Sequence, residues 1–203
     1  MDMLSHEFYN HTSLEVAPKL LGKVLTHMQD GKRLSGKIVE VEAYMGPDDK
    51  AAHSYGNRRT RRNEVMFGPP GHAYVYMIYG MYYCMNVITS PENVPHGVLI
   101  RAVEPLEGLE YMSYNRYNLP LKDLTPSKLR NLTRGPGRLC NAMSIDLSLN
   151  GASLSGSEIF IEEPGKHEEF TIASSPRINI SYAQEAASYP WRFYIEGNRY
   201  VSA

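Results

Sequence analysis

The chain predicts an α+β fold, and three features point there. Strand-like runs are joined by short turns, the mark of antiparallel pairing, and the helical patterns stand apart from them instead of alternating with them. Across 203 residues there is also no internal repeat, low-complexity tract or linker. That length is enough for one buried core, so residues 1–203 are expected to form a single domain.

The elements follow in order. "TSLEVAPKLLGK" reads as a short helix that ends at Gly22, with Pro18 acceptable only in its first turn. "KVLTHM" and "RLSGKIVEVEAYMG" flank Asp30-Gly31, a hairpin signal, and so form two antiparallel strands. In the second, period-2 alternation puts Leu34, Gly36, Ile38, Glu40, Glu42 and Tyr44 on one face and Val39, Val41 and Ala43 on the other. "GPDDKAAHSYGNRRTRRN" has no sustained period and reads as a long surface loop of the kind that often carries function. After "FGPPGH" come two tyrosine-rich strands, then "GVLIRAVEP", a buried strand with a lone Arg101. "PLEGLEYMSYNRY" and "PSKLRNLTRGPGRLCNAMSI" are helical, the latter broken by "GPG" with Pro136 placed to start a new helix. "EIFIEE", "FTIAS", "PRINI" and "WRFYIEGNRYVS" are expected as further short strands.

Composition excludes several classes. The hydrophobic fraction of 42% and charged fraction of 21% are ordinary for a globular chain, and no apolar stretch is long enough to cross a bilayer. "MDMLSHEFYNH" has no basic-then-apolar run, so a cytoplasmic protein is expected. Cys84 and Cys140 each sit in an apolar run and are expected as buried free thiols. His6 and His11 are five apart, off the spacing of a zinc helix, and there is no Cys-x-x-Cys. "GPPG" is too proline-rich for a phosphate loop, and no Gly-x-Ser-x-Gly elbow occurs. No cofactor and no metal are expected.

Net charge is only −1, yet Lys50 to Asn63 carries five basic side chains and no acid. Such a run can be a plain solvated face; with Asn57, Thr60 and Asn63 between the arginines it also has the donors that grip a phosphate backbone. "YVYMIYGMYYCMN", residues 74–86, holds five tyrosines and three methionines. Some of these rings suit a sheet core, but a tight bend at Tyr79-Gly80-Met81 would hold large apolar groups at a tip, where turns normally carry small polar ones. Apolar groups so placed suit insertion between bases. Glu40 and Glu42 are either solvent-facing strand residues or a water-activating carboxylate near Tyr44 and His53, and pattern alone does not choose between them.

"VEVEAYMGPDDKAAHS", "MFGPPGHAYVYMIYGMYYCMN", "LIRAVEPLEG" and "GPGRLC" together resemble the alkyladenine (3-methyladenine) DNA glycosylase family over most of the chain, and its bacterial members in particular. The resemblance implies a curved antiparallel sheet with flanking helices and a β-hairpin that enters the minor groove of double-stranded DNA. A damaged purine is flipped into a pocket and its N-glycosidic bond hydrolysed, which initiates base excision repair. By the same resemblance Glu42 is the general base, with Arg101 and the Ile178 carbonyl positioning water. Tyr44, Ala51, His53, Tyr76 and Asn86 form the base pocket, and Tyr79 and Met81 act at the intercalating tip. Arg58, Thr60 and Arg62 contact the DNA backbone. A metal-free monomer acting on bacterial nucleoid DNA, with no membrane partner, is implied. The motifs place no lysine for a Schiff base, so strand cleavage is not expected. The rival is a noncatalytic nucleic-acid module like the C-terminal domain of formyltransferases, against which Glu42, Tyr44, His53, Asn86 and Arg101 occurring together count. Electron-rich tyrosine faces would also draw in a cationic alkylated purine.

Overall fold

Asp30-Gly31 closes the first hairpin as its composition predicts. In the computed structural model, which describes residues 2–202, both take left-handed backbone, φ 49° and 73°, and join β1 (Val24–Gln29) to β2 (Lys32–Tyr44). β2 is the trunk of the sheet. One edge pairs first with β1 and then, from Glu40 to Glu42, with β8 (Arg192–Ile195); the other pairs with β5 (His96–Glu107). β3 (Ala73–Ile78) and β4 (Tyr82–Thr89) extend the sheet beyond β5, β6 (Ile159–Glu162) lies beyond β1, and β7 (Ile172–Ser175) pairs with β8. Every one of these pairings is antiparallel.

Register shifts in β2 at Ser35/Gly36, Ile38/Glu40 and Glu40/Val41 bend the trunk, and the sheet curves into a half-barrel. The bend wraps β2 so that both its faces are covered: Ile38, Val39, Val41 and Ala43 are fully buried, and so are Glu40 and Glu42. The solvent-facing alternative for the two glutamates is thereby excluded.

Helices α1 (His6–Tyr9), α2 (Ser13–Leu20), α3 (Leu109–Tyr117), α4 (Pro126–Arg130) and α5 (Pro136–Ala142) flank the sheet. Thr12 and Glu15 form a capping box on α2. Pro18 lies in the second turn of α2, not the first, so the helix forgoes the N–H bond from position 18 to the carbonyl of Leu14. α2, α3 and α5 cover the apolar side of the sheet, where Leu20, Ile100, Met85, Met112 and Leu139 are buried. Each such side chain contributes about 1.5–3 kcal/mol of burial free energy. Cys84 and Cys140 are buried free thiols.

One expected strand is absent. "PRINI" runs irregularly from β7 toward a 3₁₀ segment at Ser181–Ser188, with Asn179 in left-handed backbone (φ 61°). The Arg177 side chain and the Ile178 N–H are instead committed to side chains of the site. Among the described residues no helix is long and apolar enough to cross a membrane.

Candidate active site

β2 and β5 lie side by side, with Glu42 opposite Leu99, so that Arg101 reaches both carboxylates of β2. Its Nη1 is 3.2 Å from Glu42 Oε1, and its Nε donates to Glu40 Oε1 at 3.0 Å. Burial opposes the charge of Arg101, but Glu42 and Glu40 outweigh it and the pKa is raised.

The two glutamates differ in what holds them. A carboxylate offers about four lone-pair sites. Among the described residues, Glu40 Oε1 accepts from Arg101 Nε, Arg192 Nε and Ser202 Oγ, and its Oε2 from the Ser202 N–H at 2.6 Å, so four donors hold it and none of them is aromatic. Glu42 Oε1 takes the Ile178 N–H at 2.7 Å and the Arg101 ion pair, and its Oε2 takes the Tyr44 hydroxyl at 2.9 Å. One site is left, enough for a water. The Tyr44 phenol is held far above its ordinary pKa by burial and then by the Glu42 charge, so it remains a donor.

Tyr44 leads directly into a small cavity of about 60 Å³ lined also by Ala51, His53, Tyr76 and Asn86. Five residues expected at a base pocket thus meet in one place. Met66, Tyr74 and Tyr182 line it as well and were not anticipated. His53 contacts the Tyr74 hydroxyl through Nδ1 at 3.0 Å, with its ring 4.6 Å from that of Tyr76 at 69°. Burial and then the nearby Arg62 charge pull the His53 pKa down to about 4, so its ring is neutral at pH 7. Tyr76 is pushed well above its usual pKa by burial and by Cys84. Asn86 is 6% exposed, and its buried Nδ2 has no partner among the described residues.

The β3–β4 hairpin carries its rings to the tip. Tyr79 and Gly80 both take left-handed backbone (φ 51° and 69°), and the Met81 N–H closes the turn on the Ile78 carbonyl. Tyr79 is 80% exposed and Met81 67%, so neither is spent on the core.

Arg58, Thr60 and Arg62 line a second recess beside the base cavity, but they are not equivalent. The Thr60 hydroxyl is turned inward to Asn63 Oδ1, and Asn63 in turn donates to the carbonyls of His53 and Arg58. Arg62 donates to the Met77 carbonyl and lies 5.4 Å from the centre of the Tyr76 ring. Glu64, the acid beside this loop, pairs with Arg59.

On the other side of the hairpin a cleft of about 690 Å³ is lined by Tyr79, Arg101, Arg116, Arg134, Arg138 and Ile178, among others. Glu42 touches Tyr44 of the cavity and Arg101 and Ile178 of the cleft, and so sits where the two meet. α5 closes on the hairpin because Gly137 has no side chain: a Cβ there would come within 3.1 Å of Tyr82. Arg116, Arg134 and Arg138 lie far from the basic loop in sequence, and only "GPGRLC" hinted at their neighbourhood.

Comparison with known proteins identifies the family. The family model described as Methylpurine-DNA glycosylase (MPG) matches residues 7–199. Proteins named "Putative 3-methyladenine DNA glycosylase" are similar along almost their whole length. One from Clostridium acetobutylicum is 56% identical, covering 98% of this chain and 97% of its own. One from Alkaliphilus oremlandii is 55% identical, with 98% of each covered, and one from Bacillus cereus strain G9842 is 58% identical, with 96% of each covered.

Proposed function

The chain belongs to the methylpurine-DNA glycosylase family, and from that premise we propose that it flips an alkylated or deaminated purine out of duplex DNA and hydrolyses its N-glycosidic bond. Its substrates in this reading are 3-methyladenine, 7-methylguanine, hypoxanthine and ethenoadenine, and its product is an abasic site that enters base excision repair. The observation that carries the reading is the place of Glu42, a buried carboxylate bonded to Tyr44 of an aromatic cavity and to Arg101 and Ile178 of an arginine-lined cleft.

Each side chain has a role here. Tyr79 and Met81 enter the stack and fill the gap left by the extruded nucleotide. The base enters between Tyr44, Tyr76 and His53, where a cationic purine gains from the ring faces. The Asn86 Nδ2–H₂, a donor without a protein partner, disfavours a normal guanine because it meets that base's own amino donor. Glu42 accepts a proton from water as the water oxygen bonds to C1′, and the pair of the C1′–N bond leaves on the purine. Arg101 and the Ile178 N–H fix the carboxylate, and the Ile178 carbonyl serves as a second acceptor for the water. An N3- or N7-alkylated purine leaves without added protonation, so one carboxylate suffices where most glycosidases need two. Among the described residues no lysine lines the cavity or the cleft to form a covalent intermediate, so the strand stays intact.

A duplex with a single 3-methyladenine tests this directly. The protein releases free base and leaves an alkali-labile abasic site; Glu42→Gln releases base at least about 10²–10⁴-fold more slowly, the usual weight of a general base, while binding the lesion as before. Wild-type turnover by Glu42→Gln removes the mechanism. Salt-dependent binding with no base released by the wild-type protein removes the enzyme and leaves a nucleic-acid module.

A further inference from the structure

Behind the Tyr44 ring, on the side away from the base cavity, lies an ion pair that the mechanism has not used. Arg177 and Asp49 form a two-pronged bridge, Nη1 to Oδ2 at 2.5 Å and Nη2 to Oδ1 at 2.8 Å, and both side chains are fully buried. The guanidinium lies between two rings, 4.7 Å from the centre of Tyr44 and 5.0 Å from that of Trp191. It also donates to the carbonyls of Ala43, next to Glu42 in β2, and Ala186. Asp49 accepts the N–H of Met45 and of Ala51, the latter a wall of the base cavity. The residue after Arg177 is Ile178, whose N–H holds Glu42.

Stability does not account for such a pair. Desolvating two charges costs about as much as their attraction returns, and apolar replacements of similar size are often neutral or better. Arg177 also keeps a buried Nε without a partner among the described residues, a further cost. What the pair does achieve is geometric, because three separate stretches that contribute to the site converge on it.

We propose that Arg177, gripped by Asp49, is a positioning residue that binds the Tyr44 ring, the Ala51 turn and the Ile178 N–H into one body around Glu42, keeping flipped base and carboxylate in register. The inference rests on the glycosylase reading and adds to it a pair of residues that touch neither substrate nor water. A rigid guanidinium is required. Lysine carries the same charge, but its single ammonium cannot serve Asp49, Ala43 and Ala186 from one plane.

The test uses single-turnover base release from duplexes with one 7-methylguanine or one hypoxanthine, expressed per active molecule after titration with lesion DNA. Arg177→Lys and Asp49→Asn lower the maximal rate constant by about 10²-fold, the penalty of roughly 1 Å of misplacement. The enzyme concentration giving half the maximal rate changes by less than about threefold, the binding step being spared. Both lesions slow alike, since register and not base chemistry is lost. If either single variant folds poorly, Asp49→Asn/Arg177→Met removes both charges at similar volume; it is as stable as wild type in urea and still slow. A purely structural pair lowers only the active fraction or the melting temperature and leaves the rate per active molecule at the wild-type value, which overturns the proposal. A wild-type protein that releases no base is a different failure, that of the glycosylase reading itself.

Discussion

Two glutamates two positions apart in β2 show how much depends on the partners of a single carboxylate. Sequence pattern does not choose between them, and the resemblance that assigns the base to Glu42 gives Glu40 no task. The structure gives it two arginines and both donors of Ser202, and makes it the group that orients Arg101 toward Glu42. Glu40→Gln therefore loses about 3–5 kcal/mol of stability, the cost of breaking a buried ion pair, and slows base release through a misdirected Arg101. Denaturant midpoints together with single-turnover rates check both effects, and a variant with wild-type midpoint and rate removes this role. His53 yields a pH prediction. Its folded pKa of about 4 lies below the free value of 6.5, so as pH falls the unfolded chain takes up the proton first. Stability drops between about pH 6.5 and 4 and levels off below, where both states are protonated. His53 is nonetheless exposed at the cavity mouth, so water reduces the effect. His53→Gln flattens that part of the melting-temperature profile, and an unchanged slope in the variant assigns the acid loss elsewhere.

At the level of elements, the hairpin was the most legible part of the chain and the "PRINI" stretch the least. Two tyrosine-rich runs on either side of Gly80 announce two strands and a bend, because the glycine and the ring load agree. "PRINI" has a look of alternation, but Arg177 and Ile178 are drawn off the ladder by Asp49 and Glu42, partners more than a hundred residues away that no local pattern can reveal. The same limit hid the second covered face of β2, which follows from its bulges and not from its period. Resemblance to a family, not periodicity, placed Glu42, Tyr44, His53, Tyr76 and Asn86, and the cavity does bring the last four together. For the hairpin tip, exposure decides the prediction. With four fifths of its surface free, Tyr79 contributes little to folding, so Tyr79→Ala stays within about 0.5 kcal/mol of wild-type stability. Lesion-duplex affinity falls by about 1–3 kcal/mol, the worth of one stacked ring, and base release falls with it. Calorimetry on the free protein and titration of a lesion duplex separate the two; a destabilised variant with unchanged affinity makes Tyr79 a core residue after all.

Over the whole molecule a net charge of −1 conceals an uneven surface. Arg58 and Arg62 flank the base cavity on one side of the hairpin, and Arg116, Arg134 and Arg138 line the cleft on the other. They come from a loop, from α3, and from the start of α5 and the turn before it, so the chain's second half supplies a basic wall that the sequence advertised only in its first. The hairpin stands between the two walls, which suits a duplex held on both sides of the point where its stack is opened. Several of these cations are already engaged: Arg134 Nε donates to the Val201 carbonyl and Arg116 Nε to that of Leu132. Arg138 is the exposed member, bonded to Asn131 Oδ1, so it can meet a phosphate without unmaking the fold. Neutralising one phosphate releases about 0.9 of a counterion from B-DNA. Arg138→Ala should therefore reduce the slope of log affinity against log salt by about 1, equally for damaged and undamaged duplexes, and leave the maximal single-turnover rate unchanged. Glu42→Gln changes that rate and not the slope. If Arg138→Ala leaves the slope as it was, the cleft does not carry backbone, and the duplex must lie wholly on the side of Arg58 and Arg62.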